Sequence, residues 1–176
     1  RSWGLIPSRY GNNISDNIAE HVLNFNCSSF IKYSWLDRGS DERQYCSPGV
    51  DLPISSITRS KYGEYPEYHT SLDNFDLVTQ KGLNESLDIY LKCISIFERN
   101  IYNPKIKVFC EPQLGKRDMY PSVSTKSSAK NVRDMMNFIS YSDGSNSILE
   151  IANLCLITFE DAFNIFQKLK EADLMD

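Results

Sequence analysis

Residues 62–74 read YGEYPEYHTSLDN and hold one of the two histidines of this 176-residue chain. His69 is followed directly by Thr70 and then by Asp73. An imidazole nitrogen is a common zinc ligand, and a ligating histidine usually donates its other N–H to a carboxylate or carbonyl. Thr70 could shape the loop, and Asp73 could hold the ring. The alternative is an exposed turn in which His69 has no role, and the residues of this segment alone favour that alternative.

The sequence upstream of this segment favours a functional role for His69. Residues 39–49 read GSDERQYCSPG and lead into the apolar, β-branched run VDLPISSI at 50–57. The order Ser-Asp-x, buried strand, His-Thr-x-x-Asp resembles the closing half of the M28-type zinc aminopeptidase pattern. Together with CEPQLGKR at 110–117, it resembles one branch of that superfamily. This branch is the aminopeptidase-like family with a C-terminal winged helix, often found beside surface-polysaccharide genes. The resemblance covers nearly the whole chain.

The resemblance implies roles for four residues. His69 corresponds to a zinc ligand, and Tyr68 corresponds to a residue that walls the substrate pocket. Asp41 corresponds to a carboxylate that lies behind the metal ligands or beside the substrate. The next position is histidine in the usual pattern but Glu42 here. Glu42 could orient a ligand, bind a substrate ammonium by charge complementarity, or pair with Arg43 in an ordinary turn.

The chemistry implied by the resemblance is metal-assisted hydrolysis with zinc as the cofactor. The family supplies a further histidine, an aspartate and a catalytic glutamate from an N-terminal half. In this chain the other histidine, His21, lies beside the apolar stripe of a predicted helix. We therefore expect the chain to be the C-terminal portion of such a protein, with the general base outside it, and to be inactive alone.

Apolar periodicity predicts helices that alternate with strands up to about residue 110. A helix capped by Asn13 or Ser15 runs to about Asn24, and strands occupy 30–36 and 52–58. A further helix spans 84–99, and its apolar face consists of Leu87, Tyr90, Leu91, Ile94, Ile96 and Phe97. This alternation predicts an α/β architecture with an at least partly parallel sheet. Functional loops leave the carboxyl ends of parallel strands, so we expect both motif loops to share one site.

We predict three parts: the C-terminal portion of an aminopeptidase-like α/β domain at 1–118, a linker at 119–128, and a winged-helix-like domain at 129–176. The last part should contain helices at 131–141, 147–154 and 159–171. Thr158 and Asp161 resemble a capping box at the start of the last helix. Two helices separated by a tight turn predict a helix-turn-helix or small winged-helix unit, which the resemblance also implies.

Charge argues against a nucleic-acid partner for this unit. Residues 146–176 contain six acids and only two lysines, whereas a recognition helix needs basic side chains to neutralise phosphates. The whole chain has a net charge of −4. We therefore expect residues 129–176 to pack or to bind a protein partner.

The cysteines and the apolar runs indicate the cellular location of the protein. The five cysteines are widely spaced without a Cys-x-x-Cys motif, which favours reduced thiols and a cytoplasmic protein. No apolar run approaches the roughly 18 residues of a membrane span, and no signal peptide is visible.

Two classes of function remain open. The first is a zinc-dependent aminopeptidase-like hydrolase that acts on a peptide or amide bond. The second is a non-catalytic peptidase-like binding or assembly module. A cysteine hydrolase built on Cys46 is weaker, because nothing in the sequence indicates a lowered thiol pKa.

Overall fold

The structure is a computed structural model that describes residues 2–117, 119 and 126–176, without the side chains of 126–128. The chain divides into two compact units, Arg1–Phe97 and Glu98–Asp176. This division lies ahead of the boundary predicted at residue 118. Most of the predicted linker at 119–128 lies outside the described residues, so that linker stays a prediction.

The first unit alternates strands and helices, as expected for an α/β unit. Its elements are β1 (Trp3–Ile6), α1 (Ile14–Asn26), β2 (Phe30–Lys32), a 3-10 turn (Trp35–Asp37), α2 (Ser40–Tyr45), β3 (Ser56–Arg59) and α3 (Gln80–Arg99).

The described strands form one three-stranded sheet in the order β2-β1-β3. β1 pairs with β2 in parallel and with β3 in the antiparallel direction. The prediction of a partly parallel sheet is therefore confirmed. The direction of β3 has a consequence for the site. Because β3 is antiparallel, the loop that follows it leaves the sheet at the end of the strands opposite to the carboxyl ends of β1 and β2.

The start of α1 is fixed to the loop after β1 by a buried carboxylate. Asp16 accepts hydrogen bonds from the Ser8 amide at 2.7 Å, the Ser8 hydroxyl at 2.6 Å and the Asn13 amide at 3.2 Å. Asn13 caps the helix in return, through the amides of Ser15 and Asp16. This reciprocal capping leaves few unpaired donors at the helix start. The apolar face of α1 then packs beside Leu5 and Ile6, both fully buried.

Gly4 lies in the central strand, and its missing side chain is required by its neighbours. A Cβ at this position would lie 2.6 Å from Cε2 of Tyr33 and 2.7 Å from Oγ1 of Thr58. The Tyr33 ring, just after β2, therefore lies directly against the backbone of β1. Only glycine permits so close an approach.

The buried face of α3 differs from the predicted one. Ile89 and Ile96 are its buried apolar residues, whereas five of the six residues in the predicted apolar face are exposed, namely Leu87, Tyr90, Leu91, Ile94 and Phe97. The helix carries two apolar stripes, and the more continuous stripe is the exposed one.

The second unit is helical. Its main elements are α4 (Lys126–Ser140), α5 (Ile148–Cys155) and α6 (Phe159–Glu171), with a 3-10 turn at Leu114–Arg117. Phe138, Phe159 and Phe166 are buried at its centre. Short bridges join Lys105 to Asp143 and Ile106 to Met175.

The turn between α5 and α6 is tight. Leu156 caps α5 in the left-handed conformation, with φ of 55°, and Thr158 is the N-cap of the next helix. The Thr158 hydroxyl accepts from the Asp161 amide at 3.1 Å and donates to the Asp161 carboxylate at 2.7 Å. The predicted cap and helix-turn-helix are both present.

Among the described residues, no helix has the length and apolar character that crossing a bilayer requires.

We predict that Gly4→Ala destabilises the first unit by about 1–3 kcal/mol, because the new methyl group overlaps Tyr33 and Thr58. The measurement is the midpoint of urea unfolding. Gly82→Ala is the control, since its Cβ would meet only Oγ1 of Thr79 at 3.3 Å. Alanine at that helical position should be neutral or stabilising by up to about 1 kcal/mol. Equal midpoints for Gly4→Ala and the wild type would contradict the packing of Tyr33 on β1.

We predict that Thr158→Ala lowers the free energy of unfolding of the second unit by about 1 kcal/mol, because α6 loses its capping oxygen. Thr158→Ser keeps that oxygen and should retain most of the stability. Urea unfolding, followed by circular dichroism, measures both. A serine variant as unstable as the alanine variant would mean that the lost methyl group, rather than the cap, matters.

Candidate functional site

The loop that joins β3 to α3 is a series of tight turns. The Tyr68 amide donates to the Tyr65 carbonyl at 3.2 Å, and the Thr70 amide donates to the Glu67 carbonyl at 3.1 Å. The Asp73 amide donates to the Thr70 carbonyl at 3.1 Å. The first two turns overlap at residues 67–68, and the third begins at Thr70, where the second ends, so the backbone around His69 is defined by local hydrogen bonds.

His69 is exposed, and its backbone is in the left-handed region with φ of 59°. Histidine adopts this conformation more readily than most residues, but it remains uncommon. The imidazole stacks on the Tyr68 ring, with centroids 4.0 Å apart and planes 19° apart. Unusual backbone conformations concentrate at functional sites, which makes His69 a candidate on structural grounds as well.

Thr70 has a structural role in the loop, as the sequence indicated. Its hydroxyl donates to the Glu67 carbonyl at 2.8 Å and accepts from the Leu72 amide at 3.2 Å. Asp73 is exposed and lines a cavity of about 340 Å³. Tyr65 and Asp76 line the same cavity. Asp73 is thereby placed beside a concave surface.

The Ser-Asp-Glu segment is the helix α2 rather than the expected loop. Glycine at 39 precedes this helix, and its acids Asp41 and Glu42 lie in the first turn, where they complement the helix dipole. Asp41 is exposed, whereas Glu42 is half-buried and accepts a hydrogen bond from the Ser56 hydroxyl. Glu42 thus contacts the start of β3.

Glu42 also approaches the cluster of side chains formed by Tyr33, Lys61, Tyr62, Tyr65, Tyr68 and His69. A Cβ at Gly39 would lie 2.9 Å from Oε2 of Glu42 and 2.9 Å from the hydroxyl of Tyr62, so both oxygens converge on this glycine. The Tyr62 and Tyr68 rings lie 6.3 Å apart, and Tyr68 stacks on His69. Glu42, Tyr68 and His69 are thereby linked through Tyr62. Asp41 and Asp73 are not part of this series of contacts.

Three residues of this cluster were not singled out from the sequence: Tyr33, Lys61 and Tyr62. The Tyr33 hydroxyl donates to Glu64 at 2.6 Å, and the Lys61 ammonium lies over the rings of Tyr33 and Tyr62. Tyr62 was within the quoted motif, and the density of tyrosines there was the available signal. The contact of Tyr33 with a loop about thirty residues away depends on the strand order and could not be found from spacing.

Within the described residues, no group of three His, Cys, Asp or Glu side chains is placed to hold a metal ion. His69 has the donor chemistry of one zinc ligand, but these residues do not complete a site. His21 is buried on α1 with its ring 4.8 Å from that of Phe25. Cys46 is fully buried, with its sulfur 3.6 Å from the Ile54 carbonyl, which argues against its use as a nucleophile.

Two phenols of the cluster have raised pKa values. Burial, followed by the hydrogen bond to Glu64, raises the pKa of Tyr33 to about 12. Burial, followed by the charge of Glu42, raises the pKa of Tyr62. Both hydroxyls are therefore protonated at neutral pH.

We predict that protonated Tyr33 stabilises the fold below the ordinary tyrosine pKa of about 10 and that this contribution is lost as the pH rises toward about 12. In urea unfolding between these pH values, the wild type should lose stability more steeply than Tyr33→Phe. Tyr45→Phe, at an exposed position, is the control and should follow the wild type. Parallel pH profiles for all three proteins would contradict the environment described for Tyr33.

Comparisons with known proteins agree with the two-unit structure. The profile of DUF4910, a domain of unknown function, matches residues 1–100, and a winged helix-turn-helix profile matches residues 102–176. A Clostridium acetobutylicum protein, named for polysaccharide biosynthesis and for an aminopeptidase-like domain, is 38% identical over 146 residues. These residues are 82% of this chain and 33% of that protein.

The chain is also similar to a crystal structure of a protein from Clostridium acetobutylicum that is described as a candidate peptidase. The TM-score is 0.86 at 32% identity, over 99% of this chain and 38% of that chain. The chain thus spans 33% and 38% of the lengths of these two relatives.

These similarities confirm the mixed α/β fold, the C-terminal winged helix and the resemblance to aminopeptidase-like proteins. Because the first profile covers residues 1–100 of 176, more than half of the chain, the protein belongs to the DUF4910 family of domains of unknown function.

Proposed function

We propose that this chain is part of a zinc-dependent, M28-type aminopeptidase-like hydrolase that acts on a peptide or amide bond. The observation that carries the proposal is the geometry of His69, an exposed imidazole on a left-handed backbone, stacked on Tyr68. The relatives named for peptidase-like domains support the same reading. The name of one relative further suggests a link to polysaccharide biosynthesis.

In this proposal His69 is one zinc ligand of a site whose other ligands and general base come from outside the described residues. Bound zinc polarises a carbonyl and activates water. The described residues supply positions around that site. Tyr68 forms a wall beside the imidazole, and Glu42 is a half-buried acid near the same rings. Asp41 and Asp73 are exposed carboxylates available to a substrate amine.

The free cysteines support the cytoplasmic location that we propose. Each of the five, all within the described residues, is a free thiol. Disulfides are rare in the cytosol, where glutathione and thioredoxin keep thiols reduced.

The second candidate is a non-catalytic binding or assembly module. It is favoured by the acids at the exposed start of α6, Glu160 and Asp161, where a DNA-reading helix would need basic or neutral side chains. Under this alternative, residues 129–176 bind a protein partner rather than nucleic acid, and His69 has no metal.

We predict that the full-length protein contains at least about one zinc ion per chain and that His69→Ala loses it. Zinc affinity should fall by more than the about 10–100-fold that is typical when a residue hydrogen-bonded to a metal ligand is mutated. Elemental analysis after dialysis measures the metal. Asp76→Asn, an exposed substitution in the same loop, is the matched control and should keep its zinc.

The outcomes separate the two candidates. Absence of zinc from the wild type, with the fold intact by circular dichroism, would exclude the hydrolase and leave the binding module. Equal zinc in the wild type and in His69→Ala would show that the metal lies elsewhere and that His69 is not a ligand.

A further inference from the structure

Lys61 is a nearly buried cation beside the loop that carries His69. Its side chain is only 11% exposed. The ammonium lies 5.3 Å from the centroid of the Tyr33 ring and 5.1 Å from that of Tyr62. Oε1 of Glu64 is 3.8 Å away, and the Tyr62 carbonyl is 3.5 Å away.

These contacts compensate for the burial of the charge. An ammonium taken from water is costly unless it is paired, and here a carboxylate, a carbonyl and two aromatic faces surround it. A desolvated cation over a tyrosine ring is stabilised more strongly than an exposed ion pair. Glu64 is about half exposed, so the two rings are the contacts that specify where the ammonium lies.

The contacts of Lys61 join two parts of the chain that the sheet topology separates. Tyr33 follows β2 directly and lies against Gly4. Lys61 comes shortly after β3, whose carboxyl end lies at the opposite end of the sheet from that of β2. The Tyr33 ring reaches back to Gly4, which pairs with Thr58 of β3, and Lys61 contacts that ring. Glu64 reinforces the same connection by accepting from the Tyr33 hydroxyl at 2.6 Å.

From Lys61 the contacts continue to the imidazole. The Tyr62 ring, which Lys61 covers, lies 6.3 Å from the Tyr68 ring. Tyr68 in turn stacks on His69 at 4.0 Å. A displacement of Tyr62 would remove one of the two tyrosine rings that confine Tyr68, the other being Tyr65 at 5.6 Å.

We propose that Lys61 is a positioning residue for His69. Its ammonium, held between the rings of Tyr33 and Tyr62, fixes the aromatic stack on which the imidazole rests. The importance of that position for metal binding rests on the proposed function, but the position itself does not.

The test is the chemical shift of the His69 ring protons, which the stacked Tyr68 ring displaces. His69→Asn removes the signals of this ring alone and thereby assigns its resonances. Spectra are recorded without metal at one fixed, mildly alkaline pH. Tyr68→Leu gives the reference for an imidazole that has lost its stack.

Lys61→Met keeps the length of the side chain but removes the charge, and Lys61→Arg keeps the charge. We expect the methionine variant to move the His69 resonances most of the way to those of Tyr68→Leu, and the arginine variant to restore them. Glu64→Gln leaves the ammonium in place without its carboxylate and should shift the resonances less, in the same direction. Lys81→Met, at a side chain that is 86% exposed, is the matched control and should leave them unchanged.

Wild-type His69 resonances in folded Lys61→Met would overturn the proposal. So would failure of that variant to fold, with Glu64→Gln leaving the resonances unchanged, since Lys61 would then only stabilise the fold. Because no metal is present, the result is independent of the zinc measurement. If the His69 resonances depend on Lys61 but the protein binds no zinc, the positioning role of Lys61 stands and the zinc hydrolase is excluded.

Discussion

The close approach of the Tyr33 ring to the backbone of Gly4 is the constraint on which the first unit depends. A side chain at that position of the central strand would occupy the place of the ring. With glycine there, the side chain of Tyr33, the residue after β2, lies on β1 and presents its ring and hydroxyl to the loop after β3. The interactions of Lys61 and Glu64 both use Tyr33, so the absence of one methyl group in the sheet determines what can assemble beside it.

The candidate site is consequently built differently from a site at the carboxyl ends of parallel strands. β3 is antiparallel to β1, so the loop after β3 begins at the amino end of β1. Side-chain contacts, rather than the ends of neighbouring strands, bring this loop to Tyr33 and to the segment before α2. Such a site depends on a few aromatic and charged contacts, and His69 additionally carries the strain of a left-handed backbone.

The sequence predicts those elements that local chemistry determines. Asn13, one of the two caps predicted for the first helix, and Thr158 both cap their helices, because a capping oxygen acts within one turn. The identity of His69 as the chemically distinctive residue also came from the sequence. The direction of β3 could not be predicted, since a four-residue strand has the same alternation in either direction. The wrong face of α3 was chosen because periodicity shows an apolar stripe but does not show what covers it.

The charges around the cluster indicate which groups could take part in chemistry. Burial and the nearby carboxylates keep Tyr33 and Tyr62 protonated far above neutral pH, so these phenols act as hydrogen-bond donors and as surfaces for packing. Lys61 is already surrounded by rings and a carboxylate. Among the acids predicted for the site, Glu42 is the one linked to His69 through this series of contacts, and its position is histidine in the pattern that the sequence resembles. A carboxylate in place of an imidazole changes the charge beside the site by a full negative unit, which favours a cationic group, such as an amine, as its neighbour.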